Sequence, residues 1–345
     1  MPRALLLGCA GPALSDAERA FFRDVDPYGF ILFARNIEDR AQTRALVDDL
    51  RSCARHPHAP VLIDQEGGRV RRMRPPHWRA YRAPGEFVEA ARTAPAAALE
   101  AFALSSELMA RDLAEVGIDV DCVPMLDIRQ PDSNPQVIGD RALGDDADTV
   151  IRFAEVMIDA VERAGVCGVI KHLPGHGRAA EDSHDALPNI SADQATLSAV
   201  DFAPFRHFAP RVPYGMTGHL LYTGIDPDRV STLSETVVGE VIRRDIGFDG
   251  LLMTDDISMG ALGGTIGERA RGSTAAGCDV VLHCNGDMDE MRELAATVGE
   301  MDAPAVRRMG RADACREGLS QARSSGDTAA DGRRLDALLG DLFAC

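Results

Sequence analysis

The stretch KHLPGHGRAAEDSH, residues 171–184, places one lysine, three histidines and two acidic side chains in fourteen positions. Groups of this kind can shuttle protons, hold a metal ion or hydrogen-bond a polar ligand. In the segment EDSHD, the Asp182 carboxylate stands two residues from His184. It can hold one ring nitrogen, fixing the tautomer and raising the pKa, so that the other nitrogen delivers a proton near neutral pH. An acid needs an attacking partner, and Asp255 in TDDISMG offers one: an ionised carboxylate at the end of an apolar run, with Lys and Arg side chains around it. Asp256 would point to the opposite side of an extended backbone, so one carboxylate of the pair faces the site. Zinc is the competing chemistry for His172, His176, His184 and Asp182, but Pro174 and Gly175 prevent the single helical face that an i, i+4 ligand pair requires. The expected metal set is therefore none. The plainer alternative is a structural loop whose histidines cap carbonyls.

Other candidates sit at similar places. Lys171 is the only lysine in a chain of 37 basic residues, which suggests a need for a compact, rotatable ammonium, or a survivor of drift toward arginine. Asp64 terminates an apolar run and is followed by QEGGRVRR, where Gly67 and Gly68 can take positive φ in a tight turn and Arg72 follows. Arg141 in IGDRALG either enters the site or pairs with Asp140 or a surface carboxylate. Trp78, the only tryptophan, either anchors a proline-rich loop or stacks on a ligand, with the anchor favoured. His283 reads as a packing variant or an added polar contact.

These residues need a scaffold that brings distant segments together. Eight short Val, Ile and Leu-rich runs begin near residues 4, 29, 60, 118, 165, 214, 250 and 278. Between them lie helical patterns at 15–25, 39–54, 91–116, 146–164, 192–209, 234–246, 266–276 and 287–300. Strict alternation of this kind predicts parallel βαβ units and an α/β fold, a closed (β/α)8 TIM barrel, with an open doubly wound sheet as the alternative. Ser15, with Glu18 three residues on, and Ser191 are expected helix caps. The predicted organisation is one catalytic barrel over residues 1–300 and a helical extension, 301–345, packed on it. In such a barrel chemistry gathers at the C-terminal ends of the strands, where the candidate residues and five of the nine histidines (172, 176, 184, 219, 283) fall. Lys171, Arg72, Arg141 and these histidines would make one locally basic pocket in an otherwise acidic protein.

A formal net charge of −17 argues against a nucleic-acid partner and favours a small or neutral molecule. None of the eight cysteines forms a CxxC pair, and most lie in apolar runs, consistent with free thiols in a reducing cytoplasm. MPRALLLGCA reads as a first strand, its apolar run being too short for a signal peptide. No stretch approaches the roughly 18 apolar residues of a membrane span.

Together, GFILFARN, DQEGGRVRR, GDRALG, KHLPGHG with DSH, and TDDISMG resemble the family 3 glycoside hydrolases, specifically short single-domain bacterial β-N-acetylglucosaminidases of peptidoglycan recycling. The likeness spans about 250 residues, from 29 to 286. It implies a cofactor-free retaining exo-enzyme that acts on terminal β-linked N-acetylglucosamine of muropeptide fragments, as a monomer or weak homodimer. By the same resemblance Asp255 is the nucleophile, His184 the acid-base group and Asp182 its orienting partner, with Asp64, Arg72, Arg141, Lys171 and His172 as substrate contacts. A histidine in place of the second carboxyl group implies a pH optimum between roughly 5.5 and 7.5, bounded by protonation of Asp255 and deprotonation of His184. Gly175 and Gly177, beside His176, imply a loop that closes on substrate. Gly218 departs from the alanine usual at its position. Phosphorolysis and β-glucosidase activity are the alternatives within the family. A non-catalytic amino-sugar-binding protein and a zinc hydrolase are the alternatives outside it.

Overall fold

The computed structural model describes residues 1–344 except 57, 132, 182–185 and 324–325. Apolar runs without polar alternation are buried on both faces, and a ring of parallel strands inside a ring of helices is one way to cover them. The strands are β1 (Arg3–Leu7), β2 (Pro27–Leu32), β3 (Val61–Ile63), β4 (Val120–Asp121), β5 (Cys167–Leu173), β6 (Asn189–Ile190), β7 (Tyr214–Thr217), β8 (Leu221–Tyr222), β9 (Leu251–Asp256) and β10 (Val280–His283). Eight close into a parallel barrel in the order β1-β10-β9-β7-β5-β4-β3-β2, each matching one apolar run of the sequence. The open-sheet alternative is thereby excluded. Strands β6 and β8 form a separate two-stranded parallel pair that the sequence pattern does not signal.

The helices follow the predicted alternation. They are α1 (Asp16–Val25), α2 (Arg40–Cys53), α3 (Pro84–Ala91), α4 (Pro95–Glu115), α5 (Ala147–Arg163), α6 (Gln194–Ala199), α7 (Ala203–Phe208), a π-helix over Thr236–Asp245, α8 (Ile266–Ala276), α9 (Met288–Thr297), α10 (Ala303–Ala322) and α11 (Thr328–Phe343). Proline shifts one expected helix and divides another: 91–116 starts only at Pro95, after the separate helix α3, and 192–209 breaks ahead of Pro204, because proline suits a first turn but not an interior. Ser15 and Glu18 form the expected capping box on α1. On α6 the cap is Asp193, which accepts from the Thr196 amide at 2.8 Å, two residues beyond the Ser191 expected.

Helix α10 crosses the N-terminal end of the barrel. Arg316, nearly buried, pairs with Asp119 ahead of β4 and with Asp313, while Arg308 and Arg311 pair with Asp249 ahead of β9. Inside this floor the Tyr28 and Tyr214 hydroxyls meet at 2.9 Å, and Tyr28 donates to Asp313 at 3.3 Å. Helix α11 packs on α4, with Arg111 bonded to Asp331 at 2.7 Å.

Candidate active site

The C-terminal ends of the strands open into a cavity of about 290 Å³ lined by Asp64, Glu66, Arg72, Arg141, Lys171, His172, His176 and Asp255, among others. Asp64 and Glu66 leave β3 on a turn stitched by Gln65, whose side-chain oxygen accepts from the Arg72 amide at 2.7 Å and the Met73 amide at 3.1 Å. Gly67 has φ +95°, and a Cβ there would lie 2.4 Å from the Arg82 carbonyl, so the tight-turn reading of the two glycines holds. The turn and the cavity are built by the same residues.

Opposite charges alternate across the cavity wall. Arg72 Nη2 lies 3.1 Å from Asp64, whose other oxygen is 2.9 Å from Lys171 Nζ. Lys171 Nζ lies 2.6 Å from Glu66, and Glu66 takes a two-pronged contact from Arg141 at 2.7 and 2.8 Å. Asp140, an expected partner of Arg141, pairs instead with Arg69. Burial pushes both carboxyls up, but the cations outweigh it: Lys171 and Arg72 hold Asp64 well below the carboxylate range, and Arg141 and Lys171 bring Glu66 down to about 2. Burial pulls Lys171 down, yet Asp64 and Glu66 more than reverse it, so the ammonium keeps its proton. Two of its three donors are engaged by these carboxylates, leaving one for a ligand oxygen.

His172 is held from behind. Its Nδ1 lies 2.7 Å from the fully buried Asp127 carboxylate, which also accepts from the backbone amides of His172 at 3.3 Å and His176 at 2.5 Å. The expected hinge beside His176 is pinned over its described part. Tyr222 donates to the Gly175 carbonyl at 2.6 Å, and a Cβ on Gly177 would fall 2.0 Å from the Ile128 carbonyl. Close backbone approach is a reason for this second glycine. Gly218 supplies room in the same way, since a Cβ there would stand 3.1 Å from His172 Cβ.

Asp255 lines the cavity at the end of β9 and accepts the Asp256 amide at 2.8 Å. Its environment differs from the Lys and Arg surround expected. Burial raises its pKa, but nearby His172 and His219 outweigh this and hold the group below its ordinary 3.8. Asp256, expected to face away, also lines the cavity, but its carboxylate is engaged by the framework, accepting from Ser258 and from the Cys284 amide. His219, expected at the pocket, is buried behind its lining instead, between Thr232 Oγ1 at 2.8 Å and the Asp256 carbonyl at 3.0 Å, and burial lowers its pKa.

Asp182 and His184 lie outside the described residues, as does the zinc grouping that would need them. Among the described residues no cluster of three His, Cys, Asp or Glu could hold a metal ion, and no helix is long and apolar enough to cross a membrane. Trp78 is buried beneath the Arg40 guanidinium, 5.6 Å from its ring, and is absent from the cavity wall. His283 also turns away from the cavity and bonds to Glu290 at 2.7 Å. Sequence reasoning passed over Glu66 and Asp127 as functional candidates. Both follow apolar runs, the same signal that drew attention to Asp64 and Asp255.

Residues 8–311 match the glycosyl hydrolase family 3 N-terminal domain. A beta-hexosaminidase of Alkalilimnicola ehrlichii is 39% identical over 287 residues, covering 81% of this chain and 80% of that one. A beta-hexosaminidase of Neisseria meningitidis serogroup C is 35% identical over 301 residues, with coverage of 85% and 82%. The crystal structure of NagZ from Neisseria gonorrhoeae in complex with N-trifluoroacetyl-D-glucosamine superposes with a TM-score of 0.86 at 28% identity, covering 98% of each chain.

Proposed function

From the premise that this chain belongs to glycosyl hydrolase family 3 and is a β-N-acetylhexosaminidase, we propose a retaining exo-mechanism on terminal β-linked N-acetylglucosamine, with Asp255 as nucleophile. The observation that supports it is the position of Asp255: an ionised carboxylate in the same cavity as Asp64, Arg72, Arg141, Lys171 and His172. In this reading the five wall residues bind sugar oxygens. Asp255 attacks the anomeric carbon, the glycosidic C–O bond breaks, and the leaving oxygen takes a proton from His184, oriented by Asp182. His184 then removes a proton from the water whose oxygen displaces Asp255. The natural substrate in this proposal is a muropeptide fragment, N-acetylglucosaminyl-1,6-anhydro-muramic acid with or without peptide, met in the cytoplasm, with no metal or cofactor required.

The test is hydrolysis of 4-nitrophenyl N-acetyl-β-D-glucosaminide by the wild type, Asp255→Ala and His184→Ala. Loss of about a thousandfold or more is expected in the first and about a hundredfold or more in the second. Comparable turnover in Asp255→Ala overturns the assignment. The β-anomer should appear first by NMR, and phosphate should yield no sugar 1-phosphate. A faster rate on the muropeptide disaccharide than on chitobiose is the expected sign of the aglycone.

A further inference from the structure

At the opposite end of β5 from Lys171, two sulfur atoms face each other. Cys167, the first residue of the strand, is buried, and its Sγ lies 3.8 Å from Sγ of Cys315 on α10. Cys315 lines a surface cleft of about 260 Å³ beside Pro210, Arg211 and Gly247. The other cysteines among the described residues are buried. One thiol is thus open to a small solute, with a second, enclosed thiol directly behind it.

We propose that Cys315 and Cys167 form a peroxide-responsive pair, in which Cys315 is oxidised first and Cys167 resolves it to a reversible disulfide tying α10 to β5. The electrostatics agree with this order. The hydrogen bond donated by Cys167 lowers the pKa of Cys315, with help from Arg316 and Arg211 against burial and the Glu162 charge, while the same bond and burial raise Cys167. In the first step the Cys315 thiolate attacks hydrogen peroxide: an S–O bond forms, the O–O bond breaks, and hydroxide leaves, giving a sulfenic acid. Cys167 then attacks that sulfur, the S–O bond breaks, and the departing hydroxide takes the Cys167 proton as water. Two thiols lose two electrons to one peroxide, and two waters result. The sulfurs must close from 3.8 Å to the roughly 2.05 Å of a disulfide, a movement of under about 2 Å shared between two side chains.

Because the pair sits at the N-terminal end of the barrel, its effect is expected on stability rather than turnover. The experiment treats the intact wild type with dilute hydrogen peroxide, blocks remaining thiols, and maps tryptic peptides without reduction. The expected product joins AGVCGVIK, residues 164–171, to ADACR, residues 312–316. It should disappear with dithiothreitol and be absent from Cys315→Ser. In Cys167→Ser, dimedone should label Cys315. The oxidised wild type should melt about 5 °C or more above the reduced form, with hydrolysis unchanged within about twofold. A different disulfide forming first, an unreactive Cys315, or over-oxidation of Cys315 without the joined peptide overturns the proposal. Serine replaces each sulfur with little change in size, and retained hydrolysis by each variant shows that it has folded.

Discussion

The Glu66 carboxylate lies 2.6 Å from the only lysine of the chain, and both side chains are almost wholly buried. Arg141 completes the neutralisation of Glu66 from the other side. Glu66→Gln should therefore leave buried positive charge uncompensated and lower stability by about 3–5 kcal/mol, read from urea unfolding. The pH dependence follows from the sign of the shift. A carboxyl held at about 2 in the folded protein, against an ordinary 4.5, stabilises fully above 4.5, and that contribution is lost as pH falls toward 2. The variant should show a shallower acid-side loss of stability in that window; an unchanged slope would assign the loss to other groups.

The acid limb of activity should lie lower than the sequence alone implies. His172 and His219 outweigh burial and hold Asp255 below 3.8, so its charge is lost only as pH falls beneath the ordinary carboxylate range. kcat/KM should stay level from neutrality to about pH 5 and fall only below about pH 4, rather than near the roughly 5.5 bound expected from sequence. Its alkaline fall reports the acid-base group and should vanish from the profile of His184→Ala. A wild-type acid limb centred near pH 6 would contradict this environment for Asp255.

Asp127 is a positioning residue for His172. Asp127→Asn keeps the size but replaces an acceptor oxygen with an NH2 group, so the imidazole is expected to change tautomer. KM should rise about tenfold or more, reflecting the proposed contact of His172 with substrate. Nitrogen-15 NMR of the ring gives the direct check: Nδ1–H in the wild type, and loss of that signature in the variant. An unchanged tautomer would reduce Asp127 to a backbone clamp.

Trp78→Ala should cost about 3–5 kcal/mol of stability and leave KM unchanged within about twofold, since the indole is packed under Arg40 and does not reach the cavity. A selective rise in KM would restore the stacking role considered from sequence.

How far the sequence could be read depended on whether a residue's meaning is local. The barrel was legible because each apolar run is a strand by itself, and Gly67 was legible because one turn demands its backbone angle. The chain breaks before Pro95 and Pro204 were missed, because helical periodicity runs across both prolines. The partner of Arg141 was not, because Glu66 stands 75 residues away on another loop and nothing near Arg141 in the chain reports it. Asp127 was missed for the same reason: its value comes from His172, 45 residues on. The small β6–β8 pair escaped because two residues per strand carry no pattern.

The joined hydroxyls of Tyr28 and Tyr214, closed from below by α10, lie beneath a barrel interior filled with buried strand side chains, so the cavity at the strand ends has no passage through the barrel. A molecule that enters at the strand ends has one doorway, so departure reverses arrival. Whatever lodges deepest leaves last, and the part nearer the mouth must clear before it. For the proposed substrate cut into two pieces, a cavity entered from one side predicts a queue: the outer fragment departs first, and the inner one governs when the next molecule can enter.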